Sequence, residues 1–395
     1  MGLDIPRLIK LPRKHSFFLF GPRQVGKTTL IEESFDSTKT LSYDLLDHET
    51  FLKLSRSNRV LREEVKHRSS KITHVIIDEI QKIPELLDEV HYILEKLENP
   101  PYFVLTGSSA RKLRQMNANM LGGRAWNYTL YPLSFCEIQS WDKNQFSLLK
   151  ACEIGTLPVV YLEEERADAI RTLYSYAETY LEQEIKAEAL VRNLPAFVDF
   201  LKLVASENGL IVNYTNLSAD LGVSAITVKD YYQILVDTLI GFYLRPISSS
   251  NRKTLAKSPK FYFFDMGVQR ALARELDSAL IIPSEDFGRV FEHFVIRELI
   301  ALTKYNERNY EFFFYRTKDK VEVDLIVKTS KEIFAIEIKG TRNIKAKHLS
   351  GLRSFAKLYP KAQLVCASLV DNRVKKDDIL ICPWQELFDI LELKK

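Results

Sequence analysis

The stretch GPRQVGKTTL, Gly21–Leu30, follows the apolar run Phe17–Phe20 and fits the spacing G-x-x-x-x-G-K-[ST]. Each residue type has a use around a phosphate. Glycines at 21 and 26 let backbone N–H groups turn inward and form an anion nest. A helix opening near Lys27 aims its positive end at the same anion. Lys27 is expected to reach the β and γ phosphates of a nucleotide, and the Thr28 hydroxyl to ligate Mg²⁺. The cradle for MgATP is read as Gly21, Pro22, Arg23, Gln24, Val25, Gly26, Lys27, Thr28 and Thr29. A strand over Ser16–Phe20 and a helix over Thr28–Glu33 are predicted on either side, which makes the fold α/β with a parallel sheet.

Such a loop needs carboxylates for the metal and for the attacking water. HVIIDEIQ, His74–Gln81, supplies them. Val75–Ile77 reads as a central parallel strand. Asp78 and Glu79 stand at its carboxyl end, where open α/β sheets place ligands. Asp78 is expected on the Mg²⁺ side, and Glu79 is expected to orient and activate the water. A third strand, YFVLTGSS (Tyr102–Ser109), ends in hydroxyls, so Ser108 or Thr106 is the candidate γ-phosphate sensor. Arg124, just after Gly122 and Gly123, is a candidate arginine finger, in cis or from a neighbouring subunit of a homo-oligomer. The alternative is a solvated surface arginine.

These residues together resemble the AAA+ class of P-loop ATPases. More narrowly, GPRQVGKTTL, IIDEIQKIPELL, LTGSSARKL and GGRAWNYTLYPLSFCEI resemble one prokaryotic family. The resemblance implies an ATPase joined to an uncharacterised C-terminal domain with restriction-endonuclease-like features, and it spans nearly the whole chain.

The middle of the chain reads as helical. IRTLYSYAETYLEQEIKAEAL puts Leu173, Tyr176, Ala177, Tyr180, Leu181 and Ile185 near one face. LSADLGVSAITVKDYYQIL then reads as helix–turn–helix, with Ala219 at a close helix crossing, Gly222 at the turn and Ser224 as a cap. Ile226, Val228, Tyr232 and Leu235 are expected to include core positions. A two-stranded wing should follow, with Arg245, Arg252, Lys253, Lys257 and Lys260 at its basic tip. The second helix offers Thr227, Lys229 and Gln233 outward, but also Asp230 and Asp237, which suit phosphates poorly. Packing or coupling between the two ends of the chain is the stronger expectation, with the wing tip left to touch backbone phosphate.

The C-terminal block EFFFYRTKDKVEVDLIVKTSKEIFAIEIKGTRNIKAKHL can be worked out as strands over Glu311–Arg316, Val321–Lys328 and Ile333–Lys339. A four-residue turn at Thr329–Glu332 sets the register, with Lys328 facing Ile333 and Asp324 facing Glu337. Period-two alternation then puts Val323, Leu325, Val327, Phe334, Ile336 and Ile338 on a dry face. Glu322, Asp324, Ile326, Ala335, Glu337 and Lys339 take the other face. Two carboxylates at cross-strand distance repel unless a cation joins them, and Mg²⁺ or Mn²⁺ fits. Asp324 and Glu337 are the candidate metal ligands, and Lys339 would position the water and stabilise developing charge. The order D…E-x-K resembles the PD-(D/E)xK nuclease superfamily. That resemblance implies a further ligand, Glu292, in the preceding helix. Helix Lys345–Lys357 and strand Ala362–Leu369 complete an α-β-β-β-α-β order. Plain cross-strand ion pairs, with a binding or signalling use instead of cleavage, are the competing reading.

Of the 395 residues, 56 are Lys or Arg and 52 Asp or Glu, a net charge of +4 that is too small to argue for nucleic acid by itself. No apolar run approaches the roughly 18 residues of a membrane span, and no cleaved leader is expected. Cys136, Cys152, Cys366 and Cys382 form no CxxC pair and read as reduced thiols of a cytoplasmic protein. The expected organisation is an ATPase domain over 1–150, a helical and winged-helix connector over 151–275, and a restriction-endonuclease-like domain over 276–395. DNA or RNA is the candidate partner of the last two. The expected function is an ATP-hydrolysing protein coupled to a nuclease-like domain; the alternative is a nucleotide-dependent switch or scaffold whose last domain binds without cutting.

Overall fold

The computed structural model describes residues 5–109, 121–180, 193–247 and 258–394. They fall into two compact units. One is Arg7–Tyr131 with Asp237–Ile240; the other is Pro132–Val236 and Gly241–Lys395 with Met1–Pro6.

The first unit is a five-stranded sheet of β1 (Ser16–Phe20), β2 (Thr40–Asp44), β3 (His74–Asp78), β4 (Tyr102–Gly107) and β5 (Ala125–Thr129). The strand order is β2-β3-β4-β1-β5 and every pairing is parallel. SFFLF is buried at all five positions, as a continuous apolar run in a central parallel strand must be. Helices α1 (Lys27–Ser34), α2 (His48–Arg56), α3 (Arg59–Lys66) and α4 (Leu86–Lys96) accompany the sheet. Leu54, Leu61, Val90 and Ile93 from these helices share one core with Phe18, Ile77 and Leu105. Because β4 lies between β1 and β3, the carboxyl ends of all three strands are neighbours. The ligand-bearing loops therefore meet without further help.

The second unit holds an eight-stranded mixed sheet. Its strands are β6 (Gly241–Pro246), β7 (Lys260–Phe263), β8 (Glu311–Arg316), β9 (Glu322–Lys328), β10 (Ile333–Lys339), β11 (Gln363–Ser368), β12 (Val374–Lys376) and β13 (Ile379–Pro383). Their order is β12-β13-β11-β10-β9-β8-β6-β7. A long helix (Glu285–Tyr305) is capped by Ser284, whose side chain accepts from Phe287 N. Its Phe287, Phe291 and Phe294 share a core with Leu325, Val327, Ile336 and Ile338. A second helix (Ser350–Leu358) puts Leu352 and Phe355 with Ile326 and Ala335. Gly351 lets it lie directly on β9, since a Cβ there would stand 1.8 Å from Glu322 O. The predicted α-β-β-β-α-β order is present, with β12 and β13 added beyond it.

Four expectations need correction. The first concerns the wing. Strands β6 and β7 do pair antiparallel, but β6 also pairs in parallel with β8 and so extends the C-terminal sheet. KFYF is buried at every position, which a free hairpin could not achieve. Lys260 is 4% exposed and sits at no tip; Arg252, Lys253 and Lys257 lie outside the described residues. The second concerns the helix pair Tyr214–Leu221 and Ala225–Asp237, which forms with Gly222 left-handed between them. Val228, Tyr232 and Leu235 are buried, but Ile226 is 72% exposed and Ala219 is also exposed. Ile226 is two residues from Val228, roughly 200° around the helix, and so faces away.

The third correction is in the hairpin. Its register runs as predicted from Ile333↔Lys328 to Ile336↔Leu325. Between Phe313↔Ile326 and Tyr315↔Val323, however, β9 carries one residue more than β8. The bulge turns Val323 into the core of Ile326 and Ala335, away from Leu325 and Val327. The fourth is that the face opposite the dry one is itself largely covered, since Ile326 and Ala335 are fully buried. Of the predicted helical stripe, Leu173, Tyr176 and Ala177 are buried. Leu181, Ile185 and the Tyr180 side chain lie outside the described residues.

Candidate functional sites

The loop after β1 has left-handed backbone at Gln24 (φ 60°) and Gly26 (φ 93°). Gly21 abuts the sheet, where a Cβ would lie 2.5 Å from Leu130 O, and its N donates to Gly107 O at 3.2 Å. Lys27 Nζ donates to Gly21 O at 2.8 Å and Pro22 O at 3.1 Å. Thr28 and Thr29 open α1 on its exposed side. Thr28 Oγ1 donates to Asp78 Oδ2 at 3.1 Å, and Thr106 Oγ1 donates to Asp78 Oδ1. Glu79 takes a left-handed turn (φ 58°) at the end of β3, and its N donates to Thr106 Oγ1 at 3.1 Å. Ser108 Oγ donates to Glu79 Oε2 at 3.1 Å. Lys27, Thr28, Asp78, Glu79, Thr106 and Ser108 are thus brought together at one end of the sheet. Arg124 is not. It precedes β5 at the end that pairs with Ser16, while the loop begins beyond Phe20 at the other end of β1. Arg124 instead stands 3.3 Å from His91 Nδ1 and 3.9 Å from Glu95 Oε1 of α4. It cannot serve as a finger to its own chain's loop from there.

In the second unit Lys339 Nζ donates to Asp324 Oδ2 at 2.9 Å and Glu337 Oε1 at 2.6 Å. The bulged Asp324 also accepts from Ile338 N at 2.8 Å. Lys260 Nζ bridges Glu292 Oε1 at 3.0 Å and Glu322 Oε1 at 2.6 Å. Tyr262 OH donates to the same Glu292 oxygen at 2.6 Å, and Arg316 Nη1 pairs with Glu322 Oε2 at 2.8 Å. Burial, then the Asp324 charge, hold Glu337 well above the usual carboxylate range. Burial also raises Glu292, against the pull of Lys260. Burial alone would lower Lys339, but Asp324 and Glu337 outweigh it and its pKa is raised. Glu337 Oε2 is buried without a hydrogen-bond partner. A cavity of about 200 Å³ beside this cluster is lined by Asn208, Lys260, Arg289, Glu292, Arg316 and Glu322, among others. Among the described residues no three His, Cys, Asp or Glu groups converge as a metal centre. Glu292, the extra ligand implied by resemblance, is committed to Lys260 and Tyr262.

With this geometry in hand, comparison with known proteins is informative for the first unit. Residues 13–139 match the model of an AAA domain. Residues 145–279 match one domain of unknown function (DUF8612), and residues 287–387 another (DUF4143). An uncharacterized protein of Mycobacterium tuberculosis is 27% identical over 333 residues, which cover 84% of this chain and 71% of that protein. An uncharacterized protein of Methanocaldococcus jannaschii is 24% identical over 409 residues, covering 87% and 81%. Among solved structures, domain III of the replication initiation protein DnaA of Thermotoga maritima aligns at 13% identity and a TM-score of 0.27. It covers 46% of this chain and 81% of that one. A DNA polymerase III gamma subunit-related protein of the same organism aligns at 10% identity and 0.25, covering 57% and 92%. At such scores the two likenesses identify neither fold nor function. The AAA match supports a nucleotide-binding ATPase of the P-loop class.

Two residues of the first unit were not anticipated from the sequence. Arg7 Nη1 donates to Val25 O at 2.7 Å and Nη2 to Tyr131 O at 2.6 Å, which props the phosphate loop from behind. No local signal marks it. Gln81 Nε2 donates to Glu79 Oε2 and, at 3.0 Å, to Ser108 Oγ. Its one signal is its place two residues beyond Glu79 in IIDEIQKI. The four cysteines are free thiols, and burial pushes Cys366 up to about 12. Among the described residues no helix is long and apolar enough to cross a membrane.

Proposed function

We propose that the chain hydrolyses MgATP at the AAA domain and uses its nucleotide state to govern a phosphodiester-cleaving site in the second unit. The carrying observation is Asp78, which joins Thr28 of the phosphate loop to Thr106 of β4 while Glu79 stands beside it. Thr28 and Asp78 suit a hard divalent ion, and Mg²⁺ held there would neutralise the β and γ phosphate oxygens. Lys27 would exchange its two carbonyl partners for phosphate oxygens. Glu79 would take the proton of the attacking water, and Ser108 would sense the γ phosphate.

The second site also fits a divalent ion. Mg²⁺ commonly takes one or two carboxylates and completes its shell with water and substrate phosphate. Asp324 and Glu337 would hold it, with the unpartnered Glu337 Oε2 as the open acceptor. An ion there would polarise a phosphodiester, and Lys339 would steady the nucleophile and the developing charge. Arg289 and Arg316, beside the same cavity, suit the backbone of DNA or RNA. We infer that the signal passes along the chain itself. Asp237–Ile240 belongs with the first unit, Leu239 packs against that unit's core, and β6 follows directly. Arg124 is assigned to the nucleotide of a second copy, in a homo-oligomer.

One observation favours a second reading, a switch whose last domain binds a partner without cutting. Lys260 and Lys339 already neutralise the carboxylates of the cluster. The deciding experiment offers single- and double-stranded DNA and RNA to the full chain in Mg²⁺ or Mn²⁺, with and without ATP. Cleavage that Asp324→Ala abolishes, with ATP turnover kept, supports the nuclease. No cleavage of any substrate with turnover intact supports the switch.

A further inference from the structure

We propose that Gln81 is a positioning residue for ATP hydrolysis, holding Glu79 by one carboxylate oxygen so that the other is left for the water. The inference rests on the reading of Glu79 as the base. Gln81 is 4% exposed and lies two residues beyond Glu79, in the tight turn Ile80–Lys82. The left-handed backbone at Glu79 folds the chain so that the two side chains converge. The Gln81 amide and the Ser108 hydroxyl both donate to Glu79 Oε2. Neither contact uses Oε1.

The geometry of β4 is built around this amide. A Cβ on Gly107 would stand 2.7 Å from Gln81 Oε1, so only glycine leaves the amide room to lie over the strand end. The same Gly107 takes the N–H of Gly21 at the start of the phosphate loop. The amide is thus tied to both halves of the nucleotide site. Gln81 Oε1 itself is buried and has no hydrogen-bond partner. A glutamine packed only for stability would be expected to satisfy both ends of its amide.

The residue type matters. An amide donates to a carboxylate without neutralising it. A lysine would pair with the base and hold its charge, and a second carboxylate would compete with it for a proton. Glutamine fixes the orientation of Glu79 and leaves its basicity to the rest of the site. Ser108 shares the same oxygen, so a hydroxyl that shifts towards a γ phosphate would leave Gln81 as the remaining anchor.

The test is steady-state phosphate release by the full chain, measured against MgATP concentration and pH. The parent, Gln81→Ala, Gln81→Glu and Gly107→Ala are compared. Misplacing a catalytic group by about 1 Å costs up to about a hundredfold. Gln81→Ala is therefore expected to lose about tenfold to a hundredfold in kcat, with KM for MgATP within about twofold. Gln81→Glu should move the acid limb of the kcat–pH profile upward by about one unit or more, since two adjacent carboxylates cannot both ionise freely. Gly107→Ala should reproduce the kcat loss with Gln81 present, because the new methyl displaces the amide. Parent-like kcat and pH profile in both Gln81 variants would overturn the proposal, as would loss of kcat only together with nucleotide binding. A parent that turns over no MgATP would instead sink the ATPase reading itself, and this inference with it.

Discussion

The two sites spend charge in opposite ways. In the AAA domain, Lys27 rests on backbone carbonyls and Asp78 on threonine hydroxyls. Those contacts can be exchanged for phosphate and metal without stranding a charge. In the second unit the clustered charges are already paired: Lys339 spans Asp324 and Glu337, and Lys260 spans Glu292 and Glu322. Buried pairs of this kind are costly to break from one side, because the survivor is left charged in a poor solvent. The first site is therefore poised for a ligand. The second is stable as it stands, and a metal must compete with its own lysines.

The sharpest break between the two is a lysine deletion in each. Lys27→Ala should abolish MgATP binding, measured by titration calorimetry, while destabilising the fold by only about 1 kcal/mol. Unaltered nucleotide affinity would refute the phosphate-loop assignment. Lys260→Met should do the reverse. It should lower stability in denaturant by about 3–5 kcal/mol, because Glu292 and Glu322 lose their shared cation, and should leave nucleotide affinity alone. A change of under about 1 kcal/mol would mean the cluster is looser than its 4% exposed lysine implies.

The smallest effect is expected at Arg124. Its contacts to Glu95 and His91 are half-exposed, so Arg124→Ala should cost no more than about 0.5 kcal/mol. Turnover in dilute protein should be unchanged, because the residue stands at the wrong end of β1 to reach its own nucleotide. A loss that appears only at concentrations where copies assemble would support action in trans; a loss in the isolated chain would contradict the geometry.

Legibility followed the distance over which each feature is decided. The phosphate loop and the strands beside it are local, and Ser16–Phe20 and Ile333–Lys339 fall where periodicity and turn signals put them. The hairpin register was readable because a four-residue turn leaves little choice. The bulge was not, since it arises from how β8 pairs with β9, and alternation along β9 alone runs straight through it. Nor was the fate of β6 and β7. The partner of β6 is β8, far along the chain at Phe313 and Phe314, so a basic, aromatic hairpin read as a wing when it was the edge of a sheet. Whether Arg124 acts in cis or in trans was left open for a related reason: sequence puts it before a strand but does not say at which end of the sheet that strand begins.

The most direct test of the account is Glu79→Gln in the full chain, with MgATP affinity and phosphate release measured on the same sample. Affinity within about threefold of the parent, with kcat down about a hundredfold or more, is the predicted result for loss of a general base in an intact site. Undiminished hydrolysis would contradict it, and would remove Glu79 from the mechanism along with the role assigned to Gln81.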